Sequence, residues 1–279
     1  MIKFRAIRTG YWHPKTDYCE IITQSTRKII EDGDVIVVSE KAVSTAEGNI
    51  IDESAVRPGY SAKFLAGVWS RIVWGYFLGT MCHFKPERVY HLRHLPGREG
   101  AAHKQLVLGY NGLMQALKYG SEGGVDISNM PYSYACLPLS HPEEEANMIL
   151  DHLTARTRKK VTVMIADTDS TFSFRSFHFT SRPTPIRGIH SFGGAFSFVM
   201  GKSLKLRQRA TPLAAAGQEL SVEEALRFAE IAHHARGYGA GRTVWNAVKK
   251  FGVSPSEVTW KMLDGLDHFP IVLIRKSSE

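Results

Sequence analysis

Residues 161–169, V-T-V-M-I-A-D-T-D, decide the class of fold open to this chain. The run is short, apolar and rich in β-branched residues, and it is entered from the basic cluster Arg156, Arg158, Lys159 and Lys160. It reads as a buried strand that begins at the surface and dives into the core. The strand is expected to end on acid: Asp167 and Asp169 flank Thr168 at its C-terminal edge, where open α/β sheets present ligand-binding groups. Two carboxylates and a hydroxyl are hard oxygen donors of the kind Mg²⁺ or Mn²⁺ takes. The same residues would also close a strand with an Asx-type turn, so neighbouring stretches must decide between the two.

Working outward, Asp34-Val35-Ile36-Val37-Val38-Ser39 is a second buried strand, and Ile2, Phe4 and Ala6 alternate with Lys3 and Arg5 in a half-buried one ending at Thr9-Gly10. Phe269–Arg275 reads as a closing strand. Ile21, Ile22, Ile29 and Ile30 mark an amphipathic helix, Pro142 with Glu143, Glu144 and Glu145 opens another, and Ser221 with Glu224 forms a capping box for a third. From Phe64 to Tyr76, Phe64, Leu65, Val68, Trp69, Ile72, Val73 and Tyr76 follow a 3.6-residue stripe. That predicts a packed helix serving as core or dimer interface; Arg71 near its centre and the interrupting glycines argue against a membrane span.

The chain has 279 residues, 43% of them hydrophobic, enough for a large core. It carries 35 Lys and Arg against 27 Asp and Glu, a formal +8, which suits phosphate-bearing small molecules, nucleic acid or an anionic surface equally. Cys19, Cys82 and Cys136 are widely spaced, without a C-x-x-C pair, so neither a disulfide framework nor a structural zinc site is expected, and a cytoplasmic setting is the default. The N-terminus, M-I-K-F-R-A-I-R, lacks the pattern of a signal or transit peptide. His91 and His94 share a spacing that two metal ligands on a helix would have, but no recognised ligand pattern accompanies them, and a basic groove for an anionic substrate is the better reading of residues 83–122. Arg175, Arg182 and Arg187 interleave with Phe172, Phe174, Phe177 and Phe179; a strand with one phenylalanine-lined face explains them without nucleic acid, and some of these arginines are expected to clamp carboxylates or phosphates. Gly201-Lys202-Ser203 is no P-loop, because Phe196 stands where that pattern needs glycine. Gly237 to Arg242 reads as a flexible cationic loop.

Three stretches carry a resemblance. The run D-G-D-V-I-V-V-S-E-K-A-V-S-T-A-E-G (residues 32–48) resembles the coenzyme F420-0:γ-glutamyl ligase (CofE-like) family, in which such a strand leads into a loop that holds guanine nucleotide. Thr45 replaces a second lysine of the family's pattern. Residues 121–131, S-E-G-G-V-D-I-S-N-M-P, resemble the family's N-A-G-V-D-x-S-N-V motif, whose aspartate binds a divalent cation and whose asparagine contacts the nucleotide. Ala166-Asp167-Thr168 resembles the start of its S-D-T-F-G-R segment, although the F-G-R is missing here.

The resemblance implies an α+β, CofE-like mixed fold over residues 1–279, with a longer basic insertion at about 83–120, assembled as an intertwined homodimer. It implies a GTP- and Mg²⁺- or Mn²⁺-dependent ligase joining L-glutamate to a carboxylate-bearing acceptor, F420-0-like or else a pterin or folate. Asp126 and Asp167 would be catalytic, and with Thr168 would hold metal; Lys41, Ser44 and Asn129 would hold GTP; Arg182 and Arg187 would take the anionic substrate. No nucleic acid or membrane partner is expected. If Asp126 and Asp167 do share metal, removing either charge should relieve repulsion in the metal-free protein. A guanine-nucleotide-binding homologue without ligase activity is the rival from another class, with Thr45 in its favour.

Overall fold

The computed structural model describes residues 2–239, 241 and 243–276. Of the cationic loop, Ala240 and Arg242 therefore lie outside the described residues. In chain order the elements are β1 (Ile2–Thr9), α1 (Tyr18–Thr26), β2 (Val35–Ser39), α2 (Glu40–Ala46), β3 (Ile50–Asp52), α3 (Tyr60–Phe64), a π-helix (Leu65–Leu78), α4 (Gly79–Met81), α5 (Pro86–Arg93) and α6 (Gly97–Ala116). They continue with β4 (Tyr134–Cys136), α7 (Pro142–Thr157), β5 (Thr162–Phe174), β6 (Phe177–Thr180), β7 (His190–Ser191) and α8 (Ala195–Ser203). The last are β8 (Arg207–Ala216), α9 (Val222–Arg236), α10 (Val244–Phe251), α11 (Trp260–Asp264) and β9 (His268–Lys276).

Helices and a largely antiparallel sheet make an α+β protein. The main sheet runs β1-β9-β2-β5-β6-β7, with β8 on the other edge of β5, and β3 and β4 form a separate pair. Within the main sheet β2 and β5 pair in parallel, Val35 opposite Thr162 to Ser39 opposite Ala166. Both faces are covered, which is why β2 and β5 read as unbroken apolar runs. Ile36, Val38, Val163 and Ile165 face α1 and α7, packing with Ile22, Ile149 and Leu153. Their neighbours Val35, Val37, Met164 and Ala166 point the other way onto Ala225, Phe228, Ala229 and Ala232 of α9. Changing period by one residue would exchange these two sets. Helix starts follow the expected chemistry: Pro142 occupies the first turn of α7, and the Ser221–Glu224 capping box is closed in both directions.

Three expectations are corrected. The strand at 161–169 does not end on acid; β5 runs on to Phe174. A shift in its pairing with β8, from Asp167 opposite Thr211 to Ser170 opposite Ala210, leaves Thr168 and Asp169 as a bulge. Charge inside a strand would be costly alone, but Arg182 lies 3.0 Å from Asp167 and Lys118 lies 3.2 Å from Asp169. The parallel pairing does stop at Ala166, so the acids still sit at the carboxyl end of the parallel pair. Second, the expected K-A-V-S-T-A-E-G loop is mostly helix α2. Third, only part of the stripe at 64–76 is packed: Leu65 is buried and Trp69 packs beside it. The helix there has π geometry, the amide of Gly79 donating to Trp74, and its buried positions Leu65, Ser70, Trp74 and Gly79 recur every four to five residues. Phe64, Val68, Ile72 and Tyr76 are left outward-facing. No helix among the described residues is long and apolar enough to cross a membrane.

Residues 83–120 fold onto this wide helix. α5 and α6 pack against it, and both Trp69 and Trp74 donate their indole N–H to the carbonyl of Leu117, at 2.7 and 2.8 Å. His91 and His94 are not gathered as ligands: His91 stacks on Trp245 at 4.7 Å and His94 on Tyr90 at 4.1 Å. The Phe-rich segment is the β5–β6 hairpin, Phe172 opposite Phe179 in the core and Phe174 opposite Phe177 at the exposed tip.

Candidate active site

At the carboxyl end of the parallel pair, both strands deliver charge. β2 passes directly into Glu40-Lys41, and β5 into Asp167-Thr168-Asp169. The 121–131 turn crosses over them, tied to β4 by Asp126 N to Cys136 O at 3.0 Å and Cys136 N to Asp126 O at 2.9 Å. The end of α9 closes the other side. Together they wall a cavity of about 1360 Å³, lined among others by Lys41, Asp126, Asn129, Asp167, Thr168 and Arg236. Single small-molecule sites run to roughly 300–1,000 Å³, so there is room for a nucleotide beside a second substrate.

The Asp126 carboxylate is held twice. Its Oδ1 accepts from Ser128 N at 2.8 Å, a true Asx turn, while Oδ2 accepts from Ser128 Oγ and from the Lys41 ammonium, each at 2.9 Å. Burial pushes this carboxyl up, but Lys41 and the Ser128 amide outweigh it and hold it below the ordinary range. Behind the wall, Arg182 is sealed from solvent, bonded to Glu40 and the carbonyl of Gly123 and in ionic contact with Asp167. Gly124, with φ of +94°, exists because any Cβ there would strike the Arg182 guanidinium. Burial lifts Glu40 to about 7, with Asp167 and Asp169 adding to the rise and Arg182 opposing it. Burial likewise lifts Asp169 to about 6, against the pull of Lys118.

A second buried network adjoins the first. His103 bridges Glu53 at 2.6 Å and Glu122 at 3.1 Å, and Lys104 reaches Glu122 at 2.9 Å. Burial disfavours charge on His103, yet the two carboxylates win and raise it to about 10. Arg236, the last residue of α9, has both terminal nitrogens buried without a hydrogen-bond partner among the described residues. Burial lowers it to about 10, opposed by the charge of Asp167.

The sequence profile of the F420-0:gamma-glutamyl ligase family matches residues 6–226, most of the chain and the part of this wall that precedes the end of α9. The chain belongs to that family. An uncharacterized protein of Methanocaldococcus jannaschii is 36% identical to it over 98% of this chain and 96% of its own length. The coenzyme F420:L-glutamate ligase of the same organism is 29% identical over about half of each chain. Membership makes the chain a glutamate ligase in class.

Of the residues this family resemblance singles out, the fold brings Lys41, Asp126, Asn129, Asp167 and Thr168 onto one cavity. Three others lie elsewhere. Ser44 is fully buried with its hydroxyl on the carbonyl of Leu137, Arg182 is in the supporting ionic layer, and Arg187 is exposed in the turn before β7. Asn129 donates to the carbonyls of Tyr238 and Gly241 at 3.3 and 3.1 Å, so it ties the turn to the glycine-rich segment after α9. Where the family pattern has a second lysine, Thr45 bonds back to the carbonyl of Lys41 at 2.8 Å. Among the described residues no three His, Cys, Asp or Glu side chains are gathered at metal range. The donors nonetheless suit Mg²⁺, which commonly uses one or two carboxylates plus substrate phosphates and water. Asp167 has Oδ1 on the amide of Thr168 and Oδ2 facing Arg182 Nε at 3.0 Å, so this carboxylate is held in place as a charged donor, and Asp126 and Thr168 offer further hard oxygens. Sequence reading missed Glu40, Lys118, His103 and Arg236. Glu40 had a signal, a charge directly after a four-valine-and-isoleucine strand; for Arg236, at a helix end before glycine, there was none.

Proposed function

We propose that this family member is a GTP- and divalent-metal-dependent ligase that adds L-glutamate to a carboxylate-bearing acceptor. What carries the reading is the convergence of Lys41, Asp126, Asn129, Asp167 and Thr168 on one cavity. A carboxylate is a poor electrophile, so its oxygen first attacks the γ-phosphorus of GTP; the bond to the β-phosphate oxygen breaks and GDP departs. The glutamate amine then attacks the acyl carbon, the amide forms, inorganic phosphate leaves with the bonding pair, and the amine loses its proton. Lys41, on the cavity wall, supplies positive charge to nucleotide phosphates. Asp126, Asp167 and Thr168 would hold the cation, which neutralises charge on the transferring group when bound. Arg182 acts from behind, fixing Asp167 and Glu40 in place. The acceptor is F420-0-like; a pterin or folate bearing a glutamyl carboxylate would serve the same chemistry. Because the Thr45 hydroxyl is engaged inside α2, a homologue that binds guanine nucleotide without ligating is the second reading.

Release of phosphate on adding GTP, glutamate and candidate acceptors separates the two readings. A simpler measurement tests what they share. GTP with Mn²⁺ binds only the folded state and is expected to raise the melting temperature, by the equivalent of about 2.7 kcal/mol at 100 times Kd. No shift at millimolar GTP with metal would count against both.

We also infer a homodimer. Phe64, Val68, Ile72 and Tyr76, spaced by four along one helical path, are 40–56% exposed, a row of apolar side chains of the kind that a protein partner covers. Light scattering at micromolar concentration is expected to give twice the chain mass of 31.2 kDa, and a monomer mass would end this inference.

A further inference from the structure

The cavity wall also includes residues of the 83–120 segment and of α8. Its floor there is aromatic: Phe84, Tyr119 and Phe198 line it and the buried Trp74 backs them, with ring centroids 5.7 to 6.5 Å apart. Three cations rest on that floor. The Arg88 guanidinium carbon is 4.0 Å from the Phe84 centroid and 5.3 Å from that of Tyr119. Lys118 and Lys202 share the Phe198 ring, at 5.2 and 5.7 Å. Lys118 has a counter-charge, Asp169 at 3.2 Å. The other two make only neutral bonds among the described residues: Arg88 donates to the carbonyl of Tyr119 at 3.3 Å, and Lys202 to the side-chain oxygen of Gln208.

Both unpaired cations line the cavity. Their seat is shaped for them, since Gly120, at φ of +85°, leaves the space that Arg88 Nη2 occupies. Arg88 feels the charges of Glu122 and Asp169 at a distance, but neither it nor Lys202 has a carboxylate in direct contact among the described residues, so two cations held over ring faces repel one another and lose hydration, a cost that an incoming anion removes. Burial pushes the Lys202 ammonium down, and Arg88 and Lys118 push it further. We propose that Arg88 and Lys202 form an oxyanion subsite that holds a second anionic group, carboxylate or phosphate, of the acceptor. Behind the wall, Lys118 links this subsite to the acidic bulge: it touches Asp169 and lies over the ring that Lys202 covers. An acceptor that spans them carries the reacting carboxylate at one end and another negative group at the other, so it is at least a dianion. This inference rests on the ligase reading for the word acceptor, but the subsite stands on its own geometry.

The test is a set of thermal titrations of the full chain, without nucleotide or metal, using inorganic phosphate and citrate as probes. Wild type is expected to be stabilised by one or both, citrate reporting preference for carboxylate and phosphate for a phosphoryl group. Lys202→Met is expected to melt at the same or a higher temperature and to bind the preferred anion at least tenfold more weakly, while Lys202→Arg keeps the response. Unchanged anion affinity in Lys202→Met would overturn the subsite. So would loss of the GTP and Mn²⁺ response in that variant, because these cations would then belong to the nucleotide's phosphates. A wild type that answers citrate through Lys202 but never answers GTP removes the acceptor assignment and the ligase reading together, and leaves an anion-binding site.

Discussion

Asp126→Asn and Asp167→Asn are each expected to abolish phosphoryl transfer, by about 10³-fold or more, since the asparagine amide cannot replace a negative ligand whose cation contributes several kcal/mol to the transition state. Metal-dependent stabilisation should vanish with it. The metal-free proteins should differ, and here the structure revises what the sequence alone implied. Asp126 is not an uncompensated charge; it accepts from Lys41 at 2.9 Å and anchors the Ser128 turn. Losing these charge-assisted bonds costs about 1–3 kcal/mol, so apo Asp126→Asn should melt lower, not higher. Its carboxyl is held below the usual value, and that stability is present above the unfolded pKa of about 3.9 and disappears as pH falls through the lower folded value. The gap between wild type and Asp126→Asn should therefore be widest near neutral pH and close in acid. Asp167→Asn should cost less, because Arg182 keeps Glu40 and the repulsion that lifts Glu40 and Asp169 is relieved. Melting curves with and without Mn²⁺ read all of this, and an intact metal response in both variants would sink the mechanism.

Arg182→Met is expected to lose about 3–5 kcal/mol of stability, the usual consequence of removing one partner of a buried ionic cluster. Glu40 is 3% exposed and Asp167 9%, so neither carboxylate can recover its hydration when the guanidinium goes. Glu40, already lifted to about 7 by burial, would rise further and take up a proton. Glu40→Gln in the Arg182→Met background should recover part of the loss, because it removes a charge left without its partner. Urea unfolding of the two single variants and the double variant measures the coupling. Were Arg182 a substrate clamp on the cavity instead, Arg182→Met would unfold at nearly the wild-type urea concentration and raise KM; that result would remove it from the supporting layer.

What the sequence determined by itself was local. The β-branched runs at 35–38 and 162–165, the proline start of α7 and the Ser221 capping box each depend on residues within a turn or two of one another, and each forms as read; β1 forms as a strand but not with the face read, since Phe4 is exposed and Ile7 is buried. Family membership was legible for the same reason, since its motifs are contiguous. The tertiary structure decided the rest. Only packing shows that β5 continues past its acids, because the cations that make this tolerable, Lys118 and Arg182, are 51 and 15 residues or fewer away in sequence and meet the bulge only in the fold. Only packing splits the stripe at 64–76, Leu65 inward and Phe64, Val68, Ile72 and Tyr76 outward, because a helix that bonds to the fifth residue carries a different set of side chains to its buried face than the 3.6-residue period assumes. The cluster of Arg88 over Phe84 and Tyr119 with Lys118 and Lys202 over Phe198 is invisible along the chain for the same physical reason: charge compensation is set by distance in space, and these residues come from separate stretches of the sequence.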